Sequence, residues 1–381
     1  MAFQPRLFET LSRRRAKGSM KKIIFIHLLN DYSGSPKVLS QVVNIAKKNG
    51  YEFELYTGKS ENGFLSGLAS KYNYYFYKRF ENKYLTLVIF IISQLILFFK
   101  LLKYHNEDVM IYVNTMLPFG AGLAGKFMNK PVCYHIHEIS ITPAIFKRFL
   151  HYIVQKTASN VIFVSKSVEK SESFKGIPQQ VIYNALPNIF MNIAAQSTYK
   201  HLRDKKFNVL MACSLKTYKG VDEFVTIASL CQHVVNINFT LILNAEQQEI
   251  DGYFYKRKLP ENLILVSRQE DLMPFYKHAS LVLNLSRVDQ WVETFGLTII
   301  EAMAFGIPVI VPPVGGPAEI IYDGEQGYLL SSYETDIISK RIIDLCGNEK
   351  KCMTLSRAAR QRAEDFREVF FEQSIIEAIY D

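Results

Sequence analysis

Tryptophan occurs once in these 381 residues, and cysteine five times, as Cys133, Cys213, Cys231, Cys346 and Cys352. No two cysteines form a CxxC pair and their number is odd, which speaks against both a zinc site and a disulfide-stapled scaffold. With no secretory leader at the front, a reducing cytoplasmic setting is the expectation. The chain has no Asp-x-Asp or clustered His/Asp set for a divalent cation, so no metal cofactor is expected. Zinc-finger, RRM-type and P-loop signatures are also missing, which sets nucleic acid aside as a partner despite a net charge of +9. The apolar stretch Leu85–Phe99, about fifteen residues long, falls short of the roughly twenty needed to span a bilayer.

What is present is ordinary globular material, 49% hydrophobic and 21% charged, with 27 Phe and 22 Tyr. The length suits two domains better than one core. Charge is unevenly spread. Residues 1–19 carry +4, residues 20–187 carry +10 and residues 188–381 carry −5. A basic front half facing a mildly acidic back half points to an anionic surface as a partner of the front half. Residues 1–19, with Arg13-Arg14-Arg15 and Gly18-Ser19 before Met20, read as a tag or leader.

From Met20 onward short β-branched runs alternate with helical stretches. Strands are expected at Ile23–His27, Tyr51–Tyr56, Val109–Val113, Val132–His135 and Asn160–Val164. A second series follows at Asn208–Ala212, Phe239–Asn244, Leu263–Val266, Leu281–Leu285 and Pro308–Val311. Helices are expected from Pro36 to a stop at Gly50, and at Val221–Cys231 and Thr298–Phe305. The rhythm predicts two doubly wound α/β domains, 20–187 and 188–381, with the join in Leu186–Lys206 and ligands in the cleft at the carboxyl ends of the strands. The last helix is free to pack back on the front domain. Leu85–Phe99, broken by Thr86, Ser93 and Gln94 and flanked by Lys83, Lys100 and Lys103, reads first as a buried helix. The alternative is a helix dipping into a membrane face. Phe146–Lys156, with Lys147, Arg148 and Lys156 beside Phe149, Tyr152 and Ile153, adds weight to the membrane contact.

The most informative segment runs from Glu293 through Thr294-Phe295-Gly296-Leu297-Thr298-Ile299-Ile300-Glu301 to Gly306-Ile307-Pro308-Val309. Gly296 permits a close backbone approach. A helix starting near Leu297 presents free N–H groups, at Leu297 and Thr298, to an anion such as a diphosphate. Glu301, about one turn in, is placed to reach a ribose hydroxyl.

This stretch resembles the retaining glycosyltransferases of family 4, the "glycosyl transferases group 1", which have the GT-B fold of two Rossmann-like domains. Their signature is two glutamates separated by seven residues inside an FGL…EAMA…G-x-PV context. The resemblance extends along nearly the whole chain after Met20. Gly315 and Gly316 match the family's second glycine loop, with Pro317 and Glu319 after it. Lys219-Gly220 resembles the step whose lysine neutralises the donor diphosphate. His137 resembles the histidine beside the transferred sugar, while His135 reads as a packed strand residue. Ser33-Gly34-Ser35 stands at the front-domain glycine loop that closes on the phosphates, and Ser165 and Asn184 lie in stretches like those at its far end. Arg268 sits where the base is contacted, or is simply an exposed arginine. This sequence departs from the pattern at Cys213-Ser214-Leu215-Lys216, where Gly-Arg is usual. Ser214 takes the place of the arginine and Lys216 is the candidate replacement charge. A further departure is Asn244-Ala245, where glycine is usual.

The resemblance implies a retaining transfer from a nucleotide-sugar donor, UDP-linked on family frequency. Glu293 and His137 would serve the reacting sugar. Lys219, Lys216, Ser214, Glu301, Phe295, Gly296, Leu297, Thr298, Gly34, Ser35, Asn184, Arg268, Gly315 and Gly316 would hold the donor. The basic front half adds the expectation of a lipid-linked saccharide acceptor at the inner face of a bacterial plasma membrane, as in O-antigen or capsule synthesis. Alternatives are a soluble acceptor and a nucleotide-sugar binder without turnover.

Overall fold

Ile23, Ile24, Phe25 and Ile26 are all essentially inaccessible to solvent, as a central strand covered on both faces requires. They belong to β1 (Lys22–Leu29) in a computed structural model that describes residues 22–380, apart from 60, 61, 70, 71, 79 and 81. The leader expected at 1–19 lies outside the described residues. The chain divides into two compact units. One runs up to Tyr134 and includes Lys156–Ser159; the other holds His135–Gln155 and everything from Asn160 onward.

The first sheet contains β1, β2 (Phe53–Gly58), β3 (Tyr72–Tyr75), β4 (Val109–Asn114), β5 (Val132–Ile136), β6 (Asn160–Phe163) and β7 (Gln179–Val181). Its order is β3-β2-β1-β4-β5-β6-β7. Strand β1 pairs in parallel with both β2 and β4. The helices between are α1 (Gly34–Lys48), α2 (Lys83–Leu101), α3 (Phe119–Phe127), α4 (Ala144–Thr157) and α5 (Lys166–Glu172). After α6 (Asn188–Ala195) the second sheet takes β8 (Phe207–Cys213), β9 (Ile237–Leu243), β10 (Leu263–Val266), β11 (Leu281–Leu283), β12 (Val309–Val311) and β13 (Gly327–Leu329). Its order is β10-β9-β8-β11-β12-β13, with all five pairings parallel. Helices α7 (Val221–Leu230), α8 (Gln247–Tyr253), α9 (Met273–His278), α10 (Leu297–Ala304) and α11 (Pro317–Ile320) connect these strands. Helices α12 (Thr335–Cys346), α13 (Glu349–Ala363) and α14 (Glu368–Tyr380) complete the chain. In α14, Ala378 accepts a hydrogen bond from the Asn160 amide of β6 at 2.7 Å.

Both series of expected strands are present, with ends shifted by a residue or two. Three strands were not anticipated: β3, β7 and β13, each of three or four residues. Helix α1 starts at Gly34, two residues before Pro36.

The first reading of Leu85–Phe99, a buried helix, holds for only part of its side chains. Phe90, Ser93, Gln94, Leu97 and Leu101 are buried, but Leu85, Leu87, Val88, Ile91, Ile92, Leu95 and Phe99 are each at least 42% exposed. The apolar helix is also longer than the run suggested. Tyr84–Tyr104 is long and apolar enough to cross a membrane by length and composition, with 28% of its most apolar window buried. The polar interruptions turn inward. Thr86 Oγ1 bonds both backbone groups of Phe80, Ser93 Oγ donates to the Phe90 carbonyl, and Gln94 Oε1 accepts from Gly120 N–H at the start of α3. A side chain at Gly120 would run into the Gln94 carbonyl, so α2 and α3 touch backbone to backbone.

Candidate active site

Two loops at the carboxyl edge of the second sheet meet in an ion pair. The loop after β8 ends in a single helical turn, Thr217–Lys219, followed by Gly220 at φ 78°. A Cβ at Gly220 would collide with the Leu285 carbonyl, so only glycine lets this turn lie against the loop after β11. That second loop delivers Glu293. Lys219 Nζ stands 2.7 Å from Glu293 Oε2, with both side chains 17% exposed. Ser286 Oγ donates to the same oxygen at 3.1 Å. Burial pushes the Glu293 carboxyl up, but the Lys219 charge and hydrogen bonds from Lys219, Ser286 and Asn284 outweigh it. The group is held below the usual glutamate value and is ionised at neutral pH.

Glycines set the backbone around Glu293. Gly296, at φ 106°, precedes α10, whose first residues Leu297 and Thr298 are half-buried. Gly316 N–H donates to the Glu293 carbonyl at 2.9 Å. A Cβ on Gly315 would strike that carbonyl, and one on Gly316 would strike the Phe295 backbone. The expected glycine loop is therefore packed directly on the segment that carries the catalytic candidate.

His137 follows β5 and its ring lies 4.4 Å from that of His135. His135 is fully buried, and burial lowers it to about 3, in keeping with a neutral packed strand residue. His137 N–H donates to the Glu138 carboxylate at 3.2 Å. Three residues on, Ser140 Oγ accepts from Val292 N–H at 3.4 Å. The His137 loop and the Glu293 loop, both in the second unit, thus meet one residue from Glu293.

The remaining candidates are placed as follows. Glu301 is buried and accepts from Tyr276 Oη at 2.8 Å. Phe295 is buried against Tyr183 and Phe366, so its side chain packs the loop from beneath. Ser214 is half-buried and its carbonyl accepts from Lys216 N–H, while the Lys216 side chain is exposed on the same turn as Lys219. Arg268 bonds Asn244 Oδ1 at 2.7 Å and pairs with Glu246 at 2.9 Å, beside the Asn244-Ala245 departure. Asn184 is buried with no hydrogen-bond partner on its Oδ1, leaving one acceptor to satisfy. Gly34 and Ser35, in the first unit, open α1. There the Ser35 carbonyl accepts from Asn114 Nδ2 at 3.1 Å, and Asn114 in turn bonds His27. Ser165 caps α5 through Val168 N–H.

The residue pattern alone did not single out Trp291, Tyr218, Ser286 or Ser140. The sole tryptophan, two positions before Glu293, was the available signal. Glu319 lies in the first turn of α11, yet its contacts are not confined to its own helix. Its carboxylate takes the N–H groups of Lys166 and Ser167 at 2.9 and 2.6 Å, together with Tyr183 Oη at 2.9 Å. Among the described residues no group of three His, Cys, Asp or Glu side chains could hold a metal ion.

Residues 195–362 match the family model for glycosyl transferases group 1. A protein named as a probable sucrose-phosphate synthase, from Thermosipho melanesiensis, is 25% identical over 237 residues, 58% of this chain and 54% of that protein. The chain thus spans about half the length of that relative. CapM of Staphylococcus aureus, a capsular polysaccharide biosynthesis glycosyltransferase, is 23% identical over 290 residues, 70% of this chain and 74% of CapM. In fold, the chain matches Anabaena Alr3699/HepE, solved in complex with UDP and glucose. That match has a TM-score of 0.76 at 20% identity and covers 95% of this chain and 99% of the other. Residues 195–362 thus resemble the glycosyl transferases of group 1, and the chain has the two-domain α/β GT-B fold of its structural neighbours.

Proposed function

We propose that the chain is a retaining family 4 glycosyltransferase that moves a sugar from a nucleoside-diphosphate donor, UDP-linked by preference, to a lipid-linked saccharide in surface polysaccharide synthesis. The observation that carries the reading is the Lys219–Glu293 pair set between Gly220, the Gly315-Gly316 loop and the start of α10. As the glycosidic bond breaks, negative charge collects on the departing diphosphate. Lys219 and the free N–H groups of Leu297 and Thr298 stabilise that charge, with Lys216 as a further cation. Glu293, held ionised, supports the oxocarbenium-like carbon and orients sugar hydroxyls. His137 contacts the sugar, and the departing phosphate takes the acceptor proton, so no separate protein base and no metal are needed. The UDP in the Anabaena complex supports the choice of base.

The acceptor assignment rests on residues 20–187, which we take as the acceptor-side domain, with 188–381 as the donor-side domain. Helix α2 buries Ser93 and Gln94 together with Phe90, Leu97 and Leu101, while Leu87, Val88, Ile91, Ile92, Leu95 and Phe99 give it an apolar outer face, which suits an interfacial helix. Lys100 at its end and Lys126 in α3 supply charge for anionic headgroups at the cytoplasmic face. The role of CapM in capsule synthesis is of the same kind. The sucrose-phosphate synthase relative favours a soluble acceptor as the second reading, and comparing lipid-linked with free saccharides separates the two.

The test is titration of purified protein with UDP-, GDP- and ADP-sugars, with and without EDTA and vesicles. Saturable binding and slow hydrolysis of one donor, unaffected by EDTA, is the expected result. Lys219→Met should lower kcat/KM about 10²–10³-fold. Silence toward every donor, even with vesicles, would sink the proposal.

A further inference from the structure

Each partner of the Lys219–Glu293 pair has an aromatic residue close by in sequence, Tyr218 before the lysine and Trp291 before the glutamate. These two rings stack, with centroids 5.0 Å apart and planes 19° from parallel. Lys219 Nζ lies over the indole, 5.6 Å from its centroid. The backbone repeats the link. Arg287 N–H donates to the Tyr218 carbonyl and Trp291 N–H to the Arg287 carbonyl, both at 2.8 Å. The Arg287 guanidinium is fixed by Glu223 at 2.6 Å, and Tyr333 Oη holds Asp289 of the same loop at 2.8 Å. Trp291 is only half-buried, so it fills no hydrophobic core.

We infer that Trp291, braced by Tyr218, is a positioning residue for Lys219, holding its ammonium where a diphosphate of a nucleotide donor must meet it. The inference rests on the donor site proposed above and concerns what makes that site selective for a phosphate-bearing ligand. A lysine side chain is long and flexible, and Glu293 alone gives it one anchor. The indole face supplies a second, non-competing anchor through the attraction of a cation for the ring. An anion replacing Glu293 as the partner of Lys219 would leave the ring contact intact. The ammonium can then pass between carboxylate and phosphate without losing its place.

Because Trp291 is the sole tryptophan, its emission reports this contact directly. The first measurement compares the emission of wild type and Lys219→Met without nucleotide. A shift in maximum or intensity supports the contact, and identical spectra overturn it. This readout requires no activity, so it stands even if no donor is ever found and the functional reading falls. The second measurement compares UDP affinity and donor KM in Trp291→Phe, Trp291→Leu and Tyr218→Leu. The phenylalanine variant should stay within about threefold of wild type, while both leucine variants weaken UDP binding about tenfold or more, with kcat changed less. Melting curves and circular dichroism confirm folding. Wild-type UDP affinity in folded Trp291→Leu would overturn the inference.

Discussion

At the scale of single residues, Glu54 of the first unit is a carboxylate with four polar partners. Lys22 pairs with it at 2.6 Å, Tyr104 Oη and Asn73 Nδ2 donate at 2.6 and 2.7 Å, and Lys103 approaches to 3.4 Å. Burial works to raise this carboxyl, but hydrogen bonds from Lys22, Tyr104 and Asn73 and the charge of Lys103 bring it down to about 2. A carboxyl whose value is depressed in the folded state stabilises the fold above its unfolded value of about 4.5, and the contribution fades as pH falls toward 2. Glu54→Gln should therefore be less stable than wild type at pH 7, by about 1–2 kcal/mol once solvent screening is allowed for. The gap should close between pH 5 and pH 2. Urea unfolding across that range checks it, and a gap that persists at pH 2 would contradict it. The site was legible at this scale only in part. Glu293, Lys219 and the paired glycines follow from a local motif, and the structure does bring them together. The bond from Tyr276 to Glu301 and the Tyr218–Trp291 stack join residues far apart in sequence, and no local spacing encodes them.

Among the elements, α5 shows how a short helix is held from outside. Its seven residues are too few to be stable alone. Its first N–H groups are nonetheless all met, Val168 by Ser165 and Lys166 and Ser167 by the Glu319 carboxylate. A negative charge at a helix N-terminus adds to the two hydrogen bonds. Arg362 fixes the Glu319 backbone, its guanidinium donating to the carbonyls of Ile320 and Glu319 at 2.9 and 2.8 Å. Glu319→Ala leaves three donors unmet, Lys166 N–H, Ser167 N–H and Tyr183 Oη, and should destabilise by about 1–3 kcal/mol. Glu319→Gln keeps one acceptor and should lose less than half as much. Differential scanning calorimetry should rank the melting temperatures wild type, Gln, Ala, and equal values for all three would remove the cap from the argument. The sequence rhythm exposed the central strands because β-branched runs such as Ile23–Ile26 and Val309–Val311 are buried on both faces. It hid β3, β7 and β13. Tyr-Asn-Tyr-Tyr and Gln-Gln-Val at the first sheet's edges are short and partly polar, so neither carries a periodic signal long enough to read. Position in the sheet, not composition, makes them strands.

For the whole molecule, the question is what α2 meets. Its exposed apolar residues end at Phe99, which touches Phe98, and Phe98 in turn is in ring contact with Phe127 of α3, itself 65% exposed. Exposed apolar surfaces of this kind mark interaction sites on soluble proteins. The charge pattern selects among occupants, because residues 20–187 carry +10 while residues 188–381 carry −5. A protein partner would need an acidic rim around an apolar face, whereas an anionic bilayer supplies both over any area. We therefore expect wild type to float with vesicles containing phosphatidylglycerol and to ignore pure phosphatidylcholine. Salt should weaken the binding, since the Debye length shrinks from about 10 Å at 0.1 M to about 3 Å at 1 M. Binding that survives high salt is expected to come from the apolar residues of α2. Replacing Leu87, Ile91 and Leu95 together by glutamine should abolish it. These three side chains are 44%, 44% and 53% exposed, so the folded protein should lose little stability, about 0.5 kcal/mol or less at each site. A triple variant that melts like wild type yet no longer floats at any salt concentration would locate the contact on α2. A variant that still floats would move it elsewhere, and a wild type that never floats would return the acceptor to the aqueous phase.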